Sequence, residues 1–118
     1  MRATNGTVHK KRRAKVLARA KGFKAGRRRL YRTAKDAIIK SDLWAYRDRK
    51  RRKRDFRRLW ITRVGAACRS QDISYSQFIF GLKKASIELN RKQLSELAIN
   101  EPQAFEAVVA QIKKSLAA

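Results

Sequence analysis

The chain has 118 residues, 32 of them Lys or Arg against 9 Asp or Glu, for a formal net charge of +23. That length suits one domain, or one small domain with an extension. A single cysteine, Cys68, excludes an intrachain disulfide, and with only one histidine it leaves too few ligands for a zinc site. No apolar run approaches the roughly 18 residues of a membrane span. The N-terminus lacks the apolar stretch of a signal peptide. It is Arg-rich and acid-poor, as transit peptides are, but the same pattern runs on to Arg69, so it reads as mature protein. The charge is uneven: residues 1–69 hold 26 basic and 4 acidic side chains, residues 70–118 hold 6 and 5. Such asymmetry marks a polyanion-binding segment joined to an ordinary module. The basic half has little apolar material, so it is expected to be partly disordered alone and ordered on its partner.

Residues 1–9 contain Thr4, Asn5, Gly6 and Thr7 and read as irregular. Lys10 to Lys21 reads as a short basic helix whose apolar residues, Ala14, Val16, Leu17, Ala18 and Ala20, are too few and small for a packed face. Gly22 and Gly26 bracket a bend, and glycine there lets a backbone approach a phosphate closely. Leu30 to about Ser70 reads as one helix, interrupted by nothing stronger than Gly65. At 1.5 Å per residue it would run roughly 60 Å. Leu30, Ala34, Ala37, Ile38 and Ala45 give its first part a weak apolar stripe. Asp36, Asp42, Asp48 and Asp55 are expected to pair locally with arginines, Asp48 with Arg51 or Arg52 and Asp55 with Arg51 or Arg58.

The most informative stretch is Arg47 to Arg58, RDRKRRKRDFRR, with nine basic residues in twelve. A helix turns about 100° per residue, so consecutive cations point in every direction rather than lining one face. A rod charged all round suits a partner that surrounds it, and a folded RNA does so where a single DNA groove does not. Like charges at i,i+4 cost a few tenths of a kcal/mol each, a cost that phosphate neutralisation reverses. The charges supply affinity and positioning but carry no sequence code. Trp44 and Tyr46 lie beside this rod with few apolar neighbours, and stacking on unpaired bases is favoured over packing.

From Phe56 the pattern changes. Phe56, Leu59, Trp60, Val64 and Ala67 recur at helical spacing, with Ile61 and Cys68 widening the face. Three short helices follow. Ser74 with Gln77, and Asn90 with Gln93, form capping boxes, each with staple residues (Ile73 and Phe78, Leu89 and Leu94). Glu101 is the cap of the last helix and Pro102 its first residue. Apolar faces are expected at Tyr75, Phe78, Ile79, Leu82 and Ala85, at Leu94, Leu97 and Ala98, and at Phe105, Val108, Val109, Ile112 and Leu116. The fold class is therefore all-α: an extended basic helical arm, residues 1–58, leading into a small four-helix domain, residues 59–118. A core of that size is marginal, and a partner would stabilise it.

Catalysis has no support. His9 sits in a basic tail with no acid or nucleophile placed to work with it. There is no P-loop, no dinucleotide fingerprint and no Ser-His-Asp order. Cys68 falls on an apolar helix side and reads as a small core residue. No enzyme activity, cofactor, metal, small-molecule substrate or membrane partner is expected.

Five runs carry a resemblance to a known family: AKGF at Ala20–Phe23, LYRTAK at Leu30–Lys35, AYRDRKRRKRDFRRLWITRV at Ala45–Val64, YSQFIFGLKKASIELNRKQLSELAI at Tyr75–Ile99, and EPQAF at Glu101–Phe105. In this order, over nearly the whole length, the chain resembles the bacterial-type L-twenty family of large-subunit ribosomal proteins. The resemblance implies a helical arm threaded into large-subunit ribosomal RNA, a small all-helical C-terminal domain and early entry into subunit assembly. Implied partners are that RNA, neighbouring large-subunit proteins and, as in some bacteria, the protein's own messenger RNA. The implied compartment is the bacterial cytoplasm, with a plastid or mitochondrial ribosome as the alternative.

The residues expected to touch RNA follow from both readings. In the arm they are Lys10, Lys11, Arg12, Arg13, Lys15, Arg19, Lys21, Lys24, Arg27, Arg28, Arg29, Arg32, Trp44, Tyr46, Arg47, Arg49, Lys50, Arg51, Arg52, Lys53, Arg54, Arg57 and Arg58. On the C-terminal domain the resemblance adds Arg63, Arg69, Lys83, Lys84, Arg91 and Lys92. Rival readings are a nucleoid-type protein that compacts duplex DNA and an RNA-modifying enzyme with a basic arm. The all-round charge and the lack of a dimerisation seam disfavour the first. The lack of an acid–base or metal constellation disfavours the second.

Overall fold

A computed structural model describes Thr4 and residues 6–118. Among the described residues all regular structure is helical: α1 Gly6–Arg19, α2 Gly26–Arg29, α3 Tyr31–Ser70, α4 Tyr75–Lys84, α5 Arg91–Asn100 and α6 Pro102–Ala117. The all-α expectation holds. The chain divides into two compact units, Met1–Arg51 and Arg52–Ala118, and the division falls within α3.

In the first unit the helix starts earlier than expected. Gly6, Thr7, Val8 and His9 are already helical in α1, which then stops at Arg19, two residues short of Lys21. Met1, Arg2, Ala3 and Asn5, part of the stretch read as irregular, lie outside the described residues. The apolar residues of α1 also do more than expected. Ala20 is fully buried against Ala34 and Ile38 of α3, with Val16, Leu17 and Phe23 packed around them. Small residues make this contact possible because two backbones can approach where no bulky side chain intervenes. The bend falls where the glycines put it: Gly22 has φ +89°, and the Phe23 N–H reaches the Ala20 carbonyl at 3.1 Å. Leu30 is extended between α2 and α3, exposed rather than part of a stripe, and its carbonyl accepts from Ala34 at 2.8 Å.

In the second unit Val64 and Cys68 of α3 join Ile73, Phe78, Leu82, Leu94, Phe105, Val109 and Ile112 in one buried cluster. Phe78 and Phe105 stack with ring centroids 5.5 Å apart. The apolar side of α3 begins later than its periodicity suggested. Phe56 and Leu59 are exposed, touched by the core pattern in spacing only, and Phe56 keeps a tilted contact with Trp60 at 6.1 Å. Periodicity shows which side of a helix could be covered; it does not show how far the covering helices reach.

Both capping boxes form as expected, Ser74 with Gln77 and Asn90 with Gln93. Pro102 opens α6, but the Glu101 side chain makes no cap hydrogen bond. Two helix ends carried no advance signal. Ile73 N–H reaches the Cys68 carbonyl at 3.1 Å and Asp72 N–H that of Arg69 at 3.2 Å, with Asp72 at φ 54°. Ile87, Ser86, Leu82 and Lys83 repeat the pattern at the end of α4, with Ser86 at φ 54°. These are Schellman caps built without the usual glycine. The Ser95 hydroxyl is fully buried and has no hydrogen-bond partner among the described residues.

An added Cβ at Gly81 would overlap Ile112 Cγ2 and press on Leu116, so Gly81→Ala should lower stability by about 2 kcal/mol despite alanine's better helix propensity, read from urea melts with unchanged m-value. Ser86→Gly removes the left-handed strain and should raise stability by about 0.5–1 kcal/mol in the same melts. Burial pushes the Cys68 thiol from its ordinary 9.0 up to about 11. The unfolded thiol thus ionises first, and stability should fall as pH rises between those values, a fall that Cys68→Ala abolishes. At pH 8 an alkylating reagent should label native protein at least about 100-fold more slowly than urea-unfolded protein.

Candidate nucleic-acid interface

The expected cations are at the surface. On α1, Lys10, Lys11, Arg12, Arg13, Lys15 and Arg19 are exposed, as are Lys21, Lys24, Arg27, Arg28 and Arg29 around the bend, and Arg32 on α3. Every residue from Lys40 to Leu59 is exposed, so α3 offers Arg47, Arg49, Lys50 and Arg51 in the first unit and Arg52, Lys53, Arg54, Arg57 and Arg58 in the second with no protein cover. At about 100° per residue, each of these runs points its charges in several directions around the helix. Arg63, Arg69, Lys83, Lys84 and Lys92 are exposed in the second unit, while Arg91 is half-buried and its Nε donates to the Tyr75 hydroxyl at 3.1 Å.

Several of these side chains already have intramolecular partners. Arg19 Nη2 donates to both carboxylate oxygens of Asp42, at 2.7 and 2.9 Å, linking α1 to α3. Arg13 lies over the Tyr31 ring at 5.3 Å. Arg69 Nε donates to the Gly65 carbonyl at 3.2 Å. The local pairing expected of the aspartates differs in detail. Asp48 accepts from its neighbour Arg47 at 2.9 and 2.8 Å, and Asp42 serves Arg19 across 23 residues. An exposed pair of this kind contributes at most about 1 kcal/mol and is screened by salt.

Trp44 and Tyr46 are 46% and 57% exposed. Each carries a cation: Arg47 stands 3.9 Å from the Trp44 ring centroid, and Lys50 stands 4.4 Å from that of Tyr46 with its Nζ donating to the hydroxyl at 2.8 Å. The rings sit in water among cations, an arrangement that suits stacking against a base whose phosphate those cations neutralise.

One feature escaped the sequence reading. An open groove of about 740 Å³ lies between the Gly22–Arg27 bend and α3. Phe23, Lys24 and Arg27 line one side, and Thr33, Asp36, Ala37, Lys40, Ser41 and Trp44 the other. The α3 residues follow the spacing i, i+3, i+4, i+7, i+8, i+11 and so share one helix face. Asp36, expected to pair with an arginine, holds no ion pair or hydrogen bond among the described residues. Lys113, also unforeseen, donates to the Gln71 carbonyl at 2.7 Å.

Among the described residues no group of three or more His, Cys, Asp or Glu could hold a metal, and no helix is long and apolar enough to cross a membrane. Comparison with known proteins identifies what such a surface belongs to. The family model described as ribosomal protein L20 matches residues 2–108. The large ribosomal subunit protein bL20 of Leptospira biflexa serovar Patoc, in strain Patoc 1 / Ames, is 55% identical over 112 residues, covering 95% of this chain and 96% of that protein. The protein of the same name from strain Patoc 1 / ATCC 23582 / Paris matches to the same extent. The chain belongs to the ribosomal protein L20 family, whose members are structural constituents of the ribosome and not enzymes.

Proposed function

We propose that the protein is a structural component of the large ribosomal subunit that binds the subunit's RNA directly. Residues 1–58 act as the RNA-binding arm and residues 59–118 as a small four-helix domain, among neighbouring large-subunit proteins. The carrying observation is the exposed run of cations on α3, Arg47 to Arg58. Phosphates on several sides of the helix turn a self-repelling stretch into a stabilised one, so RNA and arm order each other. A protein that fastens separate RNA segments in this way acts when the subunit is built, and we assign it to early assembly.

On the second domain the exposed Arg63, Arg69, Lys83, Lys84 and Lys92 supply a second set of phosphate contacts. In family members that regulate themselves the corresponding domain binds the protein's own messenger RNA, and these cations are the ones we assign to that role. We assign the work to the bacterial cytoplasm, a reading supported by the likeness to the Leptospira proteins. Filter binding with large-subunit RNA fragments and duplex DNA in competition, across a salt series, tests the reading. The RNA should win at every salt concentration, with a salt slope of several phosphates released. Equal affinities and equal slopes for the two polymers would overturn it in favour of general nucleic-acid compaction.

A further inference from the structure

The groove at the bend has a composition that phosphate binding alone does not explain. A pure phosphate site would be lined by cations and backbone N–H groups. Here two aromatic rings and a carboxylate share the space with Lys24, Arg27 and Lys40. Phe23 is half-buried and packed on the Ala20–Ala34–Ile38 cluster, so its ring is held in place before any ligand arrives. Trp44 lies three turns along α3 from Thr33, and the cation over its ring, Arg47, does not line the groove. Gly22, at φ +89°, also lines the groove, and no heavy atom lies within 4 Å of a Cβ added there.

Asp36 is the unexpected member. In a unit this basic an aspartate gains by pairing, and Lys40 one turn on is within helical reach. Yet no ion pair of Asp36 forms among the described residues. A carboxylate offers two acceptors and, when ionised, no donor. Toward a polyanion it is repulsive, unless it meets a group with adjacent N–H donors. Among the four RNA bases only guanine presents two such donors side by side, N1–H and N2–H₂. Adenine and cytosine set an acceptor next to their amino group, and uracil flanks its one N–H with carbonyls.

We propose that this groove receives a single unpaired guanine nucleotide of the bound RNA. The base lies against Phe23 and Trp44, its Watson–Crick edge donates to Asp36, and its phosphates meet Lys24, Arg27 and Lys40. The volume of about 740 Å³ falls within the roughly 300–1,000 Å³ of clefts that hold small molecules. The site would add base readout to a surface that otherwise reads only charge and shape. This inference rests on the RNA-binding reading above and goes beyond it in naming the base.

The test uses the full chain and four RNA hairpins that differ only in one bulged nucleotide, G, A, C or U. Binding is measured at about 0.3 M salt, where non-specific phosphate attraction is weakened. The bulged-G hairpin should bind about tenfold more tightly than the others. Asp36→Asn should bring that ratio close to one, with the loss borne by the G hairpin. Simple charge removal predicts the opposite sign, because deleting an acid near phosphates strengthens binding to every RNA. Trp44→Leu, at an exposed position, should weaken the G hairpin too, with circular dichroism confirming that the helix content is kept. Equal binding of all four hairpins, with a steep salt slope retained, would overturn the guanine site while leaving the RNA reading intact. No preference for any hairpin over duplex DNA would overturn both.

Discussion

Repulsion between neighbouring cations on α3 is the constraint that the rest of the molecule accommodates. Seven of the eight residues from Arg47 to Arg54 are basic, and none of the residues from Lys40 to Leu59 is covered. A helix in water draws most of its stability from packing an apolar face, and this stretch has none. What fixes the helix lies on either side in sequence: Ala34 and Ile38 are buried in one cluster, Val64 and Cys68 in another. Each cluster is modest, but each pins one end of α3 through contacts that salt does not screen. Helix propensity does the remainder, since Arg and Lys lose little rotamer freedom in a helix and no Gly or Pro falls between Tyr31 and Val64.

Local interactions take some of the charge out of circulation without cancelling it. Arg47 and Lys50 rest against the rings of Trp44 and Tyr46, and Asp48 and Asp42 each hold an arginine. All of these are exposed contacts worth a fraction of a kcal/mol to about one. They are weak enough to be exchanged for phosphate oxygens and strong enough to keep long side chains from collapsing onto each other. The surface is in this sense ready for its partner at low cost. The link from Arg19 to Asp42 differs, because it joins α1 to α3 and so shapes the groove at whose edge Trp44 stands.

Much of the architecture was legible in the chain. Ser74 with Gln77, Asn90 with Gln93 and Pro102 carry their chemistry locally, because a cap needs only residues three apart. The face of α6 follows from its spacing. The misses share a different physical origin. Asp72 and Ser86 take a left-handed conformation that usually advertises itself as glycine; here the buried Ile73 and the half-buried Ile87 that follow pack on the core and hold them there. The small core around Ala20 was passed over because alanines bury too little area to stand out, although their smallness is what lets α1 and α3 meet. Phe56 and Leu59 kept the helical rhythm beyond the point where any helix covers them. The groove was invisible for the same reason in reverse: Thr33, Asp36, Lys40 and Ser41 form a polar stripe that reads as a solvated face until the bend at Gly22 crosses it. Most of the cationic surface is legible in the sequence, since charge at this density belongs to composition and not to folding, but Lys40 shows its place only once the bend faces it.

The closeness of α4 and α6 has a consequence for how the sequence can drift. Where Gly81 faces Ile112 there is room for one branched side chain and not for two. The two positions share a single volume, so a methyl gained at one must be surrendered at the other. A change at residue 81 costs less in a background already altered at residue 112, so that order of steps is the cheaper one.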